Sequence, residues 1–409
     1  MRITKRPART IQLPPSKSLS HRALICAALA GGKRVSNVVD NMDIDRTCDC
    51  LTALGASFVR SPGAVNFLTP PSGPQTGAVL NCGESGSTLR FFVPLAAVYG
   101  VPVKFIGQGR LLSRPMAPYV DCLTPNGVTL DQTDSGLTVS GKLTPGTFCM
   151  SGNVSSQFAT GLLFALPLLD GDSVIEITTP LESASYVDLT LDALAHFGIR
   201  IEHDNYRRFT VPGNQQYVPA DYTVEADYSS AAFLLAAGAL GCDVICKGLN
   251  PHSSQGDRAF LDVIVQTGGQ VDWIAPDTVQ ARGGDLRGIT VDVSDTPDLV
   301  PPMAALLCFC KGTSRIVGAS RLRLKESDRL HAVATELNRL GAKITEGPDY
   351  LEIEGVPHLT GGKCHSHNDH RIAMMVALAS LNAQGIVEID DPSCVNKSYP
   401  GFWDDFLQL

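Results

Sequence analysis

The stretch Ser16–Ala30, SKSLSHRALICAALA, sets a small polar cluster directly ahead of about three turns of Ala, Leu and Ile. Ser at such a start is a helix N-cap, because its side chain can accept from a free backbone N–H. The helix beyond the cap is apolar on nearly every side, and such a helix must be buried on nearly every side. Five further stretches repeat the pattern: GESGSTLRFFVPLAAV from Gly83, NVSSQFATGLLFALPLL from Asn153, ADYSSAAFLLAAGAL from Ala226, DTPDLVPPMAALLCF from Asp295 and HNDHRIAMMVALASL from His367. Measured at Lys17, Ser87, Ser155, Ser229, Asp298 and His370, the steps are 70, 68, 74, 69 and 72 residues.

A second landmark keeps the same phase. Each of the first five apolar helices is followed by LTALGASF, CLTPNGVTL, LDALAHFGIRI, LDVIVQTGGQV or ELNRLGAKI, with Gly55, Gly127, Gly198, Gly268 and Gly341 at helix-stop positions. Glycine is favoured there because the chain turns left-handed. AVNFLTP, GLTVSG and YLEIEG read as intervening strands. The sixth copy is cut short at GFWDDFLQL. A repeat this long suits globular units with internal pseudosymmetry better than a thin solenoid.

The 409 residues exceed one ordinary core, so two domains are expected. With 44% apolar and 18% charged residues the composition is that of a soluble globular protein. A net charge of −8 argues against general nucleic-acid binding, while leaving local cations free to hold a small anion. The 12 cysteines lack zinc-site spacing, with Cys48/Cys50 and Cys308/Cys310 each one residue apart. Reduced thiols in a cytoplasmic protein, with no metal and no disulfide, are expected. Arg2, Lys5, Arg6 and Arg9 make a basic start, but no apolar run comes after it. Neither a signal peptide nor a membrane span is read from the sequence.

The polar clusters at the helix starts are candidates for chemistry. A helix N-terminus offers free N–H groups and partial positive charge to an anion. Capping alone accounts for Ser, Thr, Asp and Asn, but not for Lys17, Arg22, Arg90 and Arg371, whose charges oppose the dipole. An anion-rich ligand would reconcile them. LRLKESDRL adds Lys325, Glu326, Asp328 and Arg329; as an exposed helix it would set Lys325 and Arg329 one turn apart in repulsion. RPMAP adds Arg114 and NKSYP adds Lys397.

Taken in order, SKSLSHRAL (16–24), GESGSTLR (83–90), SRPM (113–116), SSQF (155–158), KESDR (325–329), NDHR (368–371) and NKSYP (396–400) resemble the motifs of the 5-enolpyruvylshikimate 3-phosphate synthase family. The resemblance runs from residue 16 to residue 401. It implies an α/β (α+β) fold of two globular domains, each of three βαβαββ pseudo-repeats, with buried helices pointing their N-termini at an interdomain cleft. The crossings are expected near Pro15 and Glu225, giving one domain of residues 1–14 plus 226–409 and another of 15–225. ADYTVEADYSS would begin the fourth repeat, and the first strand would belong with the C-terminal domain.

The implied reaction moves the enolpyruvyl group of phosphoenolpyruvate to the 5-hydroxyl of shikimate 3-phosphate, by addition and elimination, on the route to chorismate and aromatic amino acids. No metal or organic cofactor is implied, and a monomer is expected. Lys17, Ser18, Arg22, Ser155, Ser156, Gln157, Ser183, Tyr186, Asp298, Arg321 and Lys325 would bind shikimate 3-phosphate. Lys17, Gly86, Arg90, Arg114, Gln157, Arg329, His370, Arg371 and Lys397 would hold phosphoenolpyruvate. Asp298, Lys325, Glu326 and Lys17 would be catalytic, with Asp298 as base at the hydroxyl and Lys325 and Glu326 sharing proton delivery. Glu84 stands where many members have Asn, Ser87 where Thr is usual, and Arg321 where Asn often meets the acceptor.

Two other functions are open to the sequence. One is enolpyruvyl transfer to UDP-N-acetylglucosamine, against which SKSLSHR and NDHR weigh. The other is a non-catalytic repeat scaffold, which would leave the KESDR and NDHR charges without a joint purpose. GESGST lacks the lysine of a nucleotide-binding phosphate loop.

Overall fold

The computed structural model describes residues 9–409; the basic residues Arg2, Lys5 and Arg6 lie outside that range. The chain forms two compact units. One is Pro15–Val224; the other is Glu225–Leu409 and takes in the segment ending at Pro14.

In the Pro15–Val224 unit the helices α1 (Lys17–Ala30), α2 (Met42–Ala53), α3 (Gly86–Val98), α4 (Ala117–Leu123), α5 (Gln157–Ala165) and α6 (Ala184–His196) alternate between buried and amphipathic. The buried members are α1, α3 and α5, as their Ala- and Leu-rich sequences require. Tyr119 of α4 locks α3 to α5, its hydroxyl donating to the carbonyls of Arg90 at 2.6 Å and Phe158 at 3.1 Å. The backbones come so close that a Cβ at Gly161 would collide with the Arg90 carbonyl.

Each repeat of this unit carries a four-stranded sheet. The second sheet orders Val79–Asn81, Val103–Ile106, Gly136–Gly141 and Val128–Thr133, the first pair parallel and the rest antiparallel. The third repeats this with Thr147–Met150, Ser173–Ile177, Arg208–Val211 and Glu202–Asp204. The first sheet differs in the origin of its outer strand. Lys33–Ser36 pairs in parallel with Tyr222–Thr223, from the far end of the unit. ADYT therefore completes the first repeat instead of beginning the fourth, which corrects the expectation from sequence.

The Glu225–Leu409 unit mirrors this arrangement. Its helices are α7 (Tyr228–Ala239), α8 (Phe260–Gln266), α9 (Val300–Leu307), α10 (Arg329–Arg339), α11 (His370–Ser380) and α12 (Phe402–Phe406), with α7, α9 and α11 buried. Here the displaced strand comes from the start of the chain: Arg9–Gln12 pairs in parallel with Val244–Lys247. The last repeat has only Gly362–Cys364 paired with Val387–Ile389, then α12, so its two antiparallel strands are missing among the described residues.

Gly55, Gly127, Gly198, Gly268 and Gly341 all have φ between 83° and 96°, the left-handed stop read from the sequence. All twelve cysteines are free thiols, most of them buried. Among the described residues no helix is long and apolar enough to cross a membrane, and no cluster of His, Cys, Asp or Glu has metal-site geometry.

Candidate functional site

In the Pro15–Val224 unit the polar groups gather at the starts of the buried helices. Ser16 caps α1 and Ser85 caps α3, each accepting from a backbone N–H three residues on. Gly86 opens α3 beneath two guanidinium groups. A Cβ there would lie 2.8 Å from Nη1 of Arg114 and 3.3 Å from Nη1 of Arg90. Arg90 Nη1 donates to Gln157 Oε1 at 2.6 Å, and Gln157 Nε2 donates to Ser87 Oγ at 2.9 Å. The Arg90 guanidinium also covers the Phe158 ring, 4.9 Å from its centroid. Ser155 Oγ accepts from the Gln157 N–H, and Ser156 is buried at the start of α5.

Lys17, the first residue of α1, is held by Asp43 at 2.9 Å. Arg22 is buried and deeply committed. It donates to Thr190 Oγ1 at 2.9 Å, the Ser18 carbonyl at 2.7 Å and the Tyr186 carbonyl at 2.8 Å. Burial brings its pKa down to about 10. Arg22 thus ties α1 to α6, and Ser18 and Tyr186 meet it through their carbonyls. Ser183, at the start of α6, has φ of 56°, a left-handed conformation uncommon for serine. Beneath this surface, His21 Nδ1 lies 2.7 Å from Thr47 Oγ1, which lies 2.9 Å from Thr88 Oγ1. Burial, then the charges of Lys17 and Arg22, hold the His21 pKa well below its usual value.

In the Glu225–Leu409 unit the corresponding cluster is built on carboxylates. Asp298 lies in the turn before α9. Its Oδ1 takes Arg329 Nη1 at 2.8 Å and Lys325 Nζ at 3.2 Å, and its Oδ2 takes Arg371 Nη2 at 3.1 Å. Burial pushes the Asp298 carboxyl up, but Arg371, Lys325 and Arg329 together hold it well below the usual range. The Lys325 ammonium is pulled below its usual value by burial, against the attraction of Asp298. Arg329 is 1% exposed and pairs with Asp369 at 2.8 Å and with Glu326 at 2.5 Å. Burial opposes its charge, yet Asp369, Glu326 and Asp298 hold its pKa well above the usual value.

KESDR is therefore no exposed helix face. Lys325 ends a 3-10 turn, Asp328 caps α10, and Arg329 begins it, pointing inward. Among the other expected residues, Arg321 is buried and donates to the Ser294 carbonyl at 3.0 Å. His370 is buried with its ring 4.0 Å from Asp369, and Lys397 Nζ lies 2.8 Å from Asn368 Oδ1. Asp298, Lys325, Glu326, Arg329 and Arg371 form one connected cluster.

Two acids were not anticipated. Asp43 holds Lys17, yet in NMDIDRT it reads as an ordinary first-turn acid. Asp257 is 2% exposed; its Oδ2 accepts from Ser229 Oγ, and its buried Oδ1 has no hydrogen-bond partner among the described residues. Burial, then repulsion from Asp298, raises its pKa to about 6, although Arg371 and Ser229 counteract this. In QGDRAF it also looks like a helix-start acid. Only tertiary packing distinguishes either from a dipole partner.

The model of the EPSP synthase (3-phosphoshikimate 1-carboxyvinyltransferase) family matches residues 1–406. A 3-phosphoshikimate 1-carboxyvinyltransferase of Clostridium kluyveri is 44% identical over 403 residues, covering 98% of this chain and 94% of that protein. One of Clostridium perfringens is 44% identical over 408 residues, covering 98% and 95%. Among solved structures, an EPSP synthase from Acinetobacter baumannii superposes with a TM-score of 0.80 at 24% identity, covering 97% of this chain and 95% of that one. At that identity it speaks for the fold alone.

Proposed function

The chain belongs to the EPSP synthase family, and we propose that it transfers the enolpyruvyl group of phosphoenolpyruvate to the 5-hydroxyl of shikimate 3-phosphate, releasing phosphate. Family membership supplies the reaction. The observation in this chain that carries it is the cluster of Lys325, Arg329 and Arg371 on Asp298, with Glu326 beside it. It combines carboxylates able to move protons with cations able to receive anions.

The two substrates bring two phosphates and two carboxylates, each phosphate with about −1.5 to −2 charges near neutral pH. In the Pro15–Val224 unit, Arg90, Arg114 and the narrow Gly86 turn suit an anion of the donor. Planar guanidiniums match phosphate and carboxylate oxygens in pairs. Lys17, Ser155, Ser156, Gln157, Ser183 and Tyr186 are assigned to the acceptor. Arg22 supports them by fixing the Ser18 and Tyr186 backbone, a role its three hydrogen bonds favour over direct contact. In the other unit Arg329, Arg371, His370 and Lys397 are assigned to the donor, and Asp298, Arg321 and Lys325 to the acceptor.

The addition step protonates the methylene carbon of phosphoenolpyruvate, and we assign that proton to Glu326. The acceptor hydroxyl then bonds to the cationic central carbon as Asp298 takes up its proton. A carboxylate held so low by three cations is a weak store for it. Lys325, its neighbour at 3.2 Å and lowered by burial, is the next carrier when in its amine form. Elimination breaks the carbon–phosphate oxygen bond, the departing phosphate takes the proton that came from the acceptor hydroxyl, and a methyl proton returns to Glu326.

Phosphate release measured with phosphoenolpyruvate and each of two acceptors tests the reading. Release is expected with shikimate 3-phosphate and not with UDP-N-acetylglucosamine; the reverse, or release with neither, overturns it. The route to chorismate and a cytoplasmic location go with this reaction.

A further inference from the structure

Glu336 lies two turns along α10 from Arg329 and is fully buried, although the reaction as assigned does not use it. A buried carboxylate persists only where hydrogen bonds replace water. Glu336 accepts from the backbone N–H of His365 at 2.9 Å and from Arg339 Nη1 at 3.1 Å. Its Oε1 lies 2.8 Å from His367 Nε2. A carboxylate accepts only, so that ring nitrogen carries the proton.

His367 and Asn368 have φ of 54° and 53°, two successive left-handed residues with side chains. Such a pair is costly and persists where its surroundings fix it. The segment from Asn368 to Arg371 is densely engaged with the charged cluster. The Asn368 carbonyl and Oδ1 take Lys397 Nζ at 2.9 and 2.8 Å. Asp369 takes Arg329 Nε at 2.8 Å and Ser327 Oγ at 3.0 Å. Arg371 reaches Asp298. Helix α10 thus grips this segment twice, through Arg329 on Asp369 and through Glu336 on His365 and His367.

We propose that Glu336 is a positioning residue for the donor's anion contacts. Through His367 it holds the left-handed pair that places Asn368 under Lys397 and Asp369 under Arg329, and so sets where Lys397 and Arg371 present their charges. The role in turnover rests on the enolpyruvyl-transfer reading; the anchoring itself does not.

Three variants test it: Glu336→Leu, Glu336→Gln and His367→Gly. Glycine adopts φ near 54° without strain, so His367→Gly removes the anchor while leaving the backbone at ease. It carries the test should Glu336→Leu fail to fold. Glu336→Leu and His367→Gly are expected to raise KM for phosphoenolpyruvate about tenfold, the scale of a small misplacement of binding groups. KM for shikimate 3-phosphate should change less than about twofold, and Glu336→Gln, which can still accept from the His365 N–H, should recover most of the loss. An equal rise in both KM values, or His367→Gly matching the unaltered protein, overturns the proposal. Amide exchange of residues 365–371 on the same proteins needs no turnover. Faster exchange in His367→Gly supports the anchor even if the unaltered protein releases no phosphate, which would sink the reaction instead; unchanged exchange overturns the anchor.

Discussion

The starts of the buried helices carry cations in both units, but the partners of those cations differ. In Pro15–Val224, Arg90 rests on the neutral Gln157 amide and Arg22 on backbone carbonyls and Thr190. In Glu225–Leu409, Lys325, Arg329 and Arg371 rest on Asp298, Glu326 and Asp369. A hydrogen bond from a guanidinium to a neutral group brings it no compensating negative charge. A cation on a carboxylate is balanced in advance, and the balance fixes which groups can exchange protons. On the proposed reading both units supply cations to the donor, and the second adds the carboxylates that move protons. Lys17 in the first unit also rests on a carboxylate, that of Asp43.

That contrast can be broken most severely at Asp298. Asp298→Ala should lower kcat by about 10²–10⁴-fold, the usual scale for losing a positioned acid or base, while substrate affinities change little. Steady-state kinetics checks this, and near-normal kcat removes Asp298 from the proton path.

Gly86→Ala probes the other unit. The added methyl displaces the Arg114 guanidinium from 2.8 Å, a perturbation of about 1–3 kcal/mol, so KM for the donor rises roughly 5- to 150-fold with kcat affected less. A kcat loss as deep as that of Asp298→Ala would erase the division between binding and proton handling.

Asp257 sharpens the comparison through pH. An acid whose pKa rises on folding withdraws stability as it ionises. The penalty is absent below the acid's ordinary value of 3.8, grows as pH rises from there, and is complete above its folded value of about 6. Asp257→Asn mimics the protonated acid, so its melting temperature should exceed that of the unaltered protein at about pH 7.5 and exceed it by a clearly smaller margin at about pH 5. Thermal unfolding at both pH values decides it, and equal gains at both would mean that packing, not charge, is responsible.

The smallest expected effect is at Ser183. Glycine relieves its left-handed conformation, so Ser183→Gly should stabilise the protein by about 0.5–1 kcal/mol in denaturant unfolding. Acceptor affinity should fall as the hydroxyl is lost. A gain in affinity would place Ser183 outside the acceptor's contacts.

Much of the fold was legible in the chain. Six apolar helices with polar starts stood out, because a helix buried on all sides has no room for a charged face. The glycine stops were legible because a left-handed residue has few alternatives to glycine. The KESDR and NDHR charges were recognisable as a set, although the first, taken alone, reads as an exposed helix. The inward turn of Arg329 resolves it, since Asp369 and Asp298 hold that side chain from 40 and 31 residues away.

The sequence by itself determined the six-fold helical repeat, its period and the residues that carry charge at its starts, because these depend on local periodicity and capping. Only the tertiary structure decided which strand completes which sheet. Tyr222–Thr223 joins Lys33–Ser36, and Arg9–Gln12 joins Val244–Lys247, through hydrogen bonds between segments that no local pattern links. It also decided what each cation faces. Arg22 meets carbonyls, Arg90 an amide and Arg371 a carboxylate, since a side chain's partner is set by packing across the fold while its own charge is set by its residue type.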